Sequence, residues 1–226
     1  MQGTEQSASA QAEQLARARP AVERWLTWSG LVPLPVFLLL HLSTELYRSF
    51  ASDVSGWVRA EPGGFQVVTL ALLVWAPLCV HLGLGSWLLL SGGSRPRVDD
   101  VARMPRVFSR VCALLALAFV LQHTRELAGA VWLGESDSRD LGFLLLTSLS
   151  STRWGLPLHA CAYLLGLLAT LAHAALGTHR GLLGEGLLPS AASRRRSANW
   201  CATLAVLLFG VGAFAVIRVA SGTLLH

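Results

Sequence analysis

Charge is scarce in this sequence, and lysine is missing from it altogether. Only 14% of the 226 residues are charged, whereas a soluble globular domain is typically about a quarter charged. All 18 basic residues are arginine, which we attribute to genome composition. Because the arginines cluster beside apolar segments and do not form a basic face with accessible aromatics, no nucleic-acid partner is expected. The scarcity of charge excludes an ordinary soluble domain.

The four cysteines lack CxxC spacing, and all of them lie within apolar segments. We interpret them as buried small hydrophobic residues, which excludes a cysteine metal site and a disulfide framework. The N-terminal residues also lack the apolar centre of a signal peptide. They predict a mobile cytoplasmic tail over residues 1–22, followed by a single domain over residues 23–226.

Apolar residues make up 53% of the chain, and the mean hydropathy is +0.53. A membrane-crossing helix needs about 20 mostly apolar residues. Stretches of this kind predict five spans, near residues 27–47, 65–90, 107–132, 154–176 and 200–219. The predicted fold is an all-α integral membrane bundle of five transmembrane helices, with a short amphipathic helix in the loop before the fourth span.

Arginine is unevenly distributed between the two sides of this bundle. The N-terminal tail, the second loop and the fourth loop, with their flanking helix ends, hold 12 of the 18 arginines, and the opposite side holds 6. Positively charged segments stay in the cytoplasm. The N-terminus is therefore predicted to lie inside the cell and the C-terminus outside.

Four of the predicted spans each contain a histidine, namely His41, His81, His123 and His173. An ionisable side chain in hydrocarbon is costly and is by default a functional hypothesis. At about 1.5 Å per residue, His41 and His123 come to similar heights near the outer face, and His81 and His173 lie nearer the cytoplasm. Each pair can hold one haem iron, which predicts two stacked haems b suited to electron transfer.

Other interpretations of these residues stay open on spacing alone. His159 lies about four turns before His173 on the same helix face, so it is a further candidate for an outer ligand or a quinone contact. A zinc site would need three or four ligands at one level, and two levels of two histidines disfavour it. Gly85 and Gly166 share a helix face with His81 and His173, where they would admit a porphyrin or simply let helices pack closely.

Four segments carry a resemblance to a known family: WSGLVPLPVFLLLHL, VHLGLGSWLL, RVCALLALAFVLQHTRE and LATLAHAALGTHRG. From Arg24 to about Arg196 the chain resembles the five-helix, di-haem cytochrome b membrane-anchor subunit of succinate dehydrogenases and fumarate reductases. The resemblance implies that His41 and His123 hold the outer haem, and that His81 and His173 hold the inner one. His159 is not at a ligand position of that family.

The same resemblance implies a place in a respiratory complex of the bacterial inner (cytoplasmic) membrane. The chain would anchor a flavoprotein and an iron–sulfur subunit, and the dicarboxylate site would lie in another subunit, so that no catalytic residue is expected here. Its own chemistry would be electron transfer and reaction with a quinone, with menaquinone suggested by the di-haem type. Thr27 and Arg180 are expected to bind haem propionates.

Three residues are candidates for quinone binding or proton transfer at the outer end: Glu45, Glu126 and His159. The two glutamates would otherwise pair with Arg48 and Arg125 at helix ends. The chain departs from the family at Leu171, where some members carry an intramembrane glutamate. It also departs at residues 26–28, where members often carry histidine or serine.

Two alternative functions are compatible with the residues. One is the cytochrome b anchor of a hydrogenase or a formate dehydrogenase, which would also hold haem between membrane helices. The other is a haem-free membrane scaffold or transporter, in which the histidines are buried polar residues with hydrogen-bonding partners.

Overall fold

The structure of the chain, a computed structural model, describes residues 20–31, 33–50, 71–90, 106–126 and 141–221. Within these ranges the backbone is almost entirely helical and contains no β-strand, only an isolated bridge between Arg153 and Leu156. The predicted all-α class is confirmed for this part of the chain. Of the predicted tail, residues 1–22, the first 19 residues lie outside the described ranges.

The helices along the described ranges are α1 (20–31), α2 (Pro33–Phe50), α3 (Ala76–Leu90), α4 (Arg106–Thr124), α5 (Leu141–Ser150), α6 (Leu158–Gly184) and α7 (Ala191–Ala220). A π-helical turn, Ala71–Trp75, leads directly into α3. Among the residues that the structure describes, four segments are long and apolar enough to cross a membrane: Pro20–Ser43, Val107–Thr124, Leu158–Gly184 and Ala191–Ala220. The second predicted span corresponds to a shorter apolar helix, Leu72–Leu88, and its predicted first residues, 65–70, lie outside the described ranges.

The surface of the candidate spans is apolar. Leu40, Leu114 and Val206 are 62%, 63% and 69% exposed, and each belongs to a different span. A soluble monomer rarely exposes contiguous apolar patches larger than a few hundred Å², whereas lipid solvates such a surface and requires that the backbone be helical. These helices are those of a multi-pass membrane protein. Its orientation and the type of membrane stay predictions.

The first helix begins earlier than hydropathy predicted. Residue 20 is helical, although the span was expected to begin at about residue 27. Pro20 is the first residue that the structure describes, and it is already part of this helix. Hydropathy marks only the apolar part of a helix, so the polar first turns with Glu23 and Arg24 were missed.

The helix in the region of the fourth predicted span, about 154–176, is Leu158–Gly184. Trp154 and Gly155 have φ angles of 56° and 74° and form a tight turn, which keeps them out of the helix. At the other end the polar residues Thr178 and Arg180 continue the helix beyond its apolar part. Gly186, with a φ of 74°, follows the last turn in the left-handed conformation that favours glycine.

Helix α7 begins nine residues before the predicted start at Trp200. Ser190 caps it: the Ser190 hydroxyl accepts a 3.1 Å bond from the Ser193 amide, and the Ser193 hydroxyl accepts a 3.1 Å bond from the Ser190 amide. This reciprocal capping satisfies amides that have no partner within the helix. Three arginines in the following turns lower the local hydropathy, so the hydropathy pattern did not predict that the helix begins here.

The short helix α5 is a core element and is not the amphipathic segment expected in this loop. Its sequence, LGFLLLTSLS, is apolar, and Leu149 is only 1% exposed. Leu149 packs with Ala160 and Tyr163 of α6 and with Val219 of α7. Helix α5 therefore closes one end of the contact between α6 and α7.

Helix α6 is central, since it packs extensively on both α4 and α7. Leu167 and Leu171 of α6 form a buried cluster with Leu42 of α2. Gly212 of α7 lies against this cluster, where a Cβ atom would be 2.5 Å from Leu167 Cδ2 and 3.2 Å from Leu42 Cδ2. The absence of a side chain at this position sets the distance between α7 and its neighbours.

We predict that Gly212→Ala destabilises the bundle by about 1–3 kcal/mol, because the added methyl group forces Leu167 to move within a packed core. Unfolding by heat or denaturant in detergent micelles would measure this. Gly210→Ala is the matched control, since a Cβ at residue 210 meets nothing within 4 Å. Equal stability of the two variants would contradict the packing described for Gly212.

Candidate functional site

One pair of histidines joins α2 to α4. The ring centroids of His41 and His123 are 5.9 Å apart, and the ring planes are 66° apart. One turn before each histidine a phenylalanine stacks on it: Phe37 lies 5.2 Å from His41, and Phe119 lies 5.6 Å from His123, centroid to centroid. Residues four positions apart share a helix face, so the segments FLLLH and FVLQH each place an aromatic ring behind a histidine.

A second pair joins α3 to α6. The ring centroids of His81 and His173 are 6.1 Å apart, with the planes 75° apart. His81 Nδ1 lies 3.1 Å from the carbonyl oxygen of Leu26 and 3.4 Å from the hydroxyl of Ser29. A carbonyl only accepts, so the bond to Leu26 places the proton on Nδ1 and leaves the lone pair of Nε2 for a metal.

Helix α1 fits closely against the ring of His81. A Cβ atom at Gly30 would be 2.7 Å from Cε1 and 2.8 Å from Nδ1 of His81. Ser29, next to Gly30, is buried, and its hydroxyl donates a 3.0 Å bond to the Leu26 carbonyl. A glycine and a serine thus allow the backbone of α1 to approach and orient this imidazole.

The two pairs lie at different levels of the bundle. Tyr163 of α6 lies beside His123, with ring centroids 5.8 Å apart, and His173 of the same helix lies beside His81. Ten residues of helix separate Tyr163 from His173, which corresponds to about 15 Å. The structure therefore brings together the four histidines in the two pairs expected from their depths.

A polar cluster lies next to His123 at the outer level. The Tyr163 hydroxyl donates to Oε2 of Glu126, while Gln122 donates a 3.0 Å bond to Oε1 of Glu126. His159 Nε2 is 3.2 Å from the same Oε1, although it is not aligned as a hydrogen bond. His159 and Tyr163 are also ring neighbours, 5.2 Å apart.

This cluster contains two of the three residues predicted to bind quinone or transfer protons. Glu126 and His159 are in contact, and Glu126 also accepts hydrogen bonds from Gln122 and Tyr163. Glu45 lies on α2, but its side chain is outside the described residues. The contacts of His159 are with Glu126 and Tyr163, so it belongs to the polar cluster and to neither histidine pair.

Thr27 and Arg180, predicted to bind haem propionates, come to the same end of the bundle. Thr27 Cγ2 lies 2.9 Å from the position that a Cβ at Gly181 would take, next to Arg180 in the chain. Arg180 is exposed and donates a 2.9 Å bond to the hydroxyl of Ser109. It lies about two turns beyond His173, roughly 10 Å along α6, toward the end of the bundle nearest the His81–His173 pair. Their binding role stays a prediction.

The spacing of both pairs fits a shared metal ion. An imidazole nitrogen binds a first-row metal at about 2 Å and lies roughly 1.1 Å from the ring centre, so two opposed imidazoles have centroids about 6 Å apart. The observed values are 5.9 and 6.1 Å. Nδ1 of His173 is buried without a hydrogen-bond partner, and a buried polar atom of this kind indicates a role or an absent ligand. The residues therefore fit two haems.

Two further observations bear on the alternatives. In the described ranges no group of three or more histidine, cysteine, aspartate or glutamate side chains is arranged to hold a metal ion. A Cβ at Gly166 would lie 2.4 Å from Phe119. Close helix packing, and not porphyrin contact, therefore explains Gly166.

No family model, curated protein or solved structure matches this chain. The resemblance to di-haem anchor subunits therefore rests on the histidine-bearing segments themselves.

Tyr163, Ser29 and Gly30 were not identified as site residues from the sequence. Tyr163 is one of only two tyrosines in the chain and follows His159 by one helical turn, which is a usable signal. The sequence contains no such signal for Ser29 and Gly30, because they contact His81, which is more than 50 residues away in the sequence. Contacts of this kind are set by how α1 docks on α3.

We predict that Gly30→Ala removes the haem expected at the His81–His173 pair and leaves the one expected at the His41–His123 pair. The added methyl group would displace the His81 ring. Haem content per chain and the absorbance spectrum would show a fall from two haems to one. Gly83→Ala is the control, because a Cβ there meets nothing within 4 Å, and an unchanged spectrum in Gly30→Ala would contradict the prediction.

Proposed function

We propose that the chain is the membrane-anchoring di-haem cytochrome b subunit of a succinate:quinone oxidoreductase. The observation that carries this proposal is the meeting of four histidines from four helices as two pairs, at two levels and with the spacing of opposed metal ligands. The order and sequence of the four histidine segments add the resemblance to succinate dehydrogenase and fumarate reductase anchors. When bound, the two haems would supply one-electron carriers reaching from an iron–sulfur subunit on one face to a quinone, with menaquinone favoured.

The chain's own residues hold the imidazoles in a ligating form. The carbonyl of Leu26 orients His81 from outside its pair, and the Tyr163 hydroxyl, 3.4 Å from His123 Nδ1, is placed to do so for His123. Partners of this kind fix the tautomer and raise the basicity of a ligand histidine. Phe37 and Phe119 cover the outer pair with apolar rings, which helps to keep water out.

The inner end has the groups needed for carboxylates and for a soluble partner. Arg180 and Thr27 are positioned to bind propionates of the inner haem, since both lie at the end of the bundle beyond His173. Three consecutive arginines, Arg194, Arg195 and Arg196, follow the cap of α7. Under the predicted orientation these arginines face the cytoplasm, where the flavoprotein and iron–sulfur subunits would dock.

At the outer end Glu126 and His159 are the groups placed to exchange protons with a bound quinone. Glu126 is 28% exposed and His159 is 24% exposed at the side chain, so both retain some access from outside the core. The contact between them joins an acid to a base within one site. The quinone would react at this level, near the His41–His123 pair.

The first test is the cofactor content of the purified protein. We predict two b-type haems per chain in a pyridine haemochrome assay, because each histidine pair would supply two ligands to one iron. A protein that carries no haem when expressed with haem supplied would overturn the proposal. That result would favour the scaffold or transporter alternative.

Single-histidine variants test the pairing. His41→Ala is expected to lose the outer haem and keep the inner one, and His81→Ala is expected to do the reverse, so each retains one haem per chain. His179→Ala is the matched control, because His179 bonds to Ser197 at 3.1 Å and lies outside both pairs. Loss of the inner haem alone in His41→Ala, measured by redox titration of the spectrum, would refute the pairing.

Electron donors distinguish the succinate complex from the hydrogenase and formate dehydrogenase anchors. In native membranes succinate is expected to reduce both haems, and the chain should co-purify with a flavoprotein and an iron–sulfur subunit. Reduction by hydrogen or formate, with no reduction by succinate, would assign the chain to one of the alternative complexes.

A further inference from the structure

Tyr163 connects the outer histidine pair to the acidic cluster. Its hydroxyl oxygen is 3.4 Å from Nδ1 of His123, and the same hydroxyl donates its proton to Oε2 of Glu126. A phenol has one proton to donate, and an ionised carboxylate can only accept. Since that proton is used on Glu126, the phenol oxygen can only accept from His123. The hydrogen-bond direction therefore runs from His123 through Tyr163 to Glu126.

This direction determines which nitrogen of His123 is free. A proton on Nδ1, shared with Tyr163, leaves Nε2 unprotonated and able to bind a metal. His81 has the same arrangement, with the Leu26 carbonyl as the acceptor at 3.1 Å. One histidine of each pair is thus held by an acceptor on Nδ1. At His81 the Leu26 carbonyl and the Ser29 hydroxyl lie at this nitrogen, whereas at His123 the acceptor is a phenol that in turn donates to a carboxylate.

The position of Tyr163 is fixed by packing from several elements. It is 4% exposed, and Leu149 of α5 and Val219 of α7 pack against it. Phe119 meets its ring edge-on at 5.3 Å and an angle of 87°. The far oxygen of Glu126 is held by Gln122, so the acceptor of the tyrosine proton is also fixed. An arrangement of this rigidity is what a ligand needs to keep one orientation.

We propose that Tyr163 is a positioning residue for His123, which it holds through Nδ1 while Glu126 holds Tyr163. The inference rests on the proposed function, because it concerns a ligand of the outer haem. An acceptor on the far nitrogen makes an imidazole a stronger electron donor to its metal. A stronger donor stabilises the oxidised iron, so Tyr163 lowers the reduction potential of the outer haem relative to a histidine without this partner.

The test is Tyr163→Phe, which keeps the ring and removes only the hydroxyl. We expect both haems to remain bound, with the ratio of reduced to oxidised outer haem about tenfold higher at a fixed potential, equivalent to about 59 mV for a one-electron couple. The low-spin EPR signal of the outer haem should shift, and the inner haem should not change. Redox titration with optical and EPR detection would measure both.

Two other variants separate the hydrogen bond from packing. Glu126→Gln weakens the acceptor of the tyrosine proton without altering ring packing, so a smaller shift in the same direction is expected. Thr170→Val removes a hydroxyl of α6 that donates a 2.8 Å bond to the Gly166 carbonyl of the same helix, and the outer haem should be unaffected by it.

The outcomes distinguish this inference from the proposed function. Two haems in Tyr163→Phe with an unchanged outer potential and EPR signal would overturn the role of Tyr163 and leave the cytochrome intact. If Tyr163→Phe loses the outer haem, Glu126→Gln decides: an upward shift supports the inference, and no shift overturns it. A wild-type protein without haem would instead refute the proposed function itself.

Discussion

The placement of imidazole rings inside an apolar bundle is the constraint on which the rest of this structure depends. Hydrocarbon offers no water to a ring nitrogen, so each nitrogen needs an acceptor, a donor or a metal. At His81 one nitrogen is satisfied by the Leu26 carbonyl, and at His123 one faces the Tyr163 hydroxyl. What the pairs have in common is the separation of their ring centroids, 5.9 and 6.1 Å, which is compatible with a metal ion held between the rings. The small residues of α1 and the phenylalanines of α2 and α4 serve to hold that gap.

The two pairs are supported in different ways. The inner pair depends on backbone approach, because Gly30 allows α1 to reach the His81 ring. The outer pair depends on side chains, since Phe37, Phe119 and Tyr163 surround it and α5 closes the contact behind Tyr163. A side-chain acceptor adjoining a carboxylate can connect a metal ligand to the chemistry of its surroundings, whereas a backbone carbonyl cannot be altered in this way. Under the proposed function, this difference favours the level of the His41–His123 pair as the place where a quinone reacts.

Much of the architecture follows from hydropathy and histidine spacing. The apolar runs predicted the helical class and the approximate positions of four candidate spans, and depth arithmetic anticipated that His41 meets His123 and His81 meets His173. The end of α6 at Gly184 and the start of α7 at Ala191 differ from the predicted bounds. They depend on local capping and on polar turns that extend beyond the apolar segment, and hydropathy does not register either. The sequence predicted that Glu126 and His159 both lie near the outer end of the bundle, but it did not predict that their side chains are in contact.

The sequence by itself determined that this is a helical membrane protein with four histidines at two depths, because helix rise and apolar length leave little freedom in either. Tertiary structure decided which residues surround those histidines. Ser29, Gly30 and Tyr163 contact histidine rings that lie 40 to 52 positions away in the sequence. At Gly166, one of the two glycines considered as a place for a porphyrin, the side chain of Phe119 occupies the space. The rotation and docking of one helix on another set such contacts, and a periodic pattern within a single helix does not encode them.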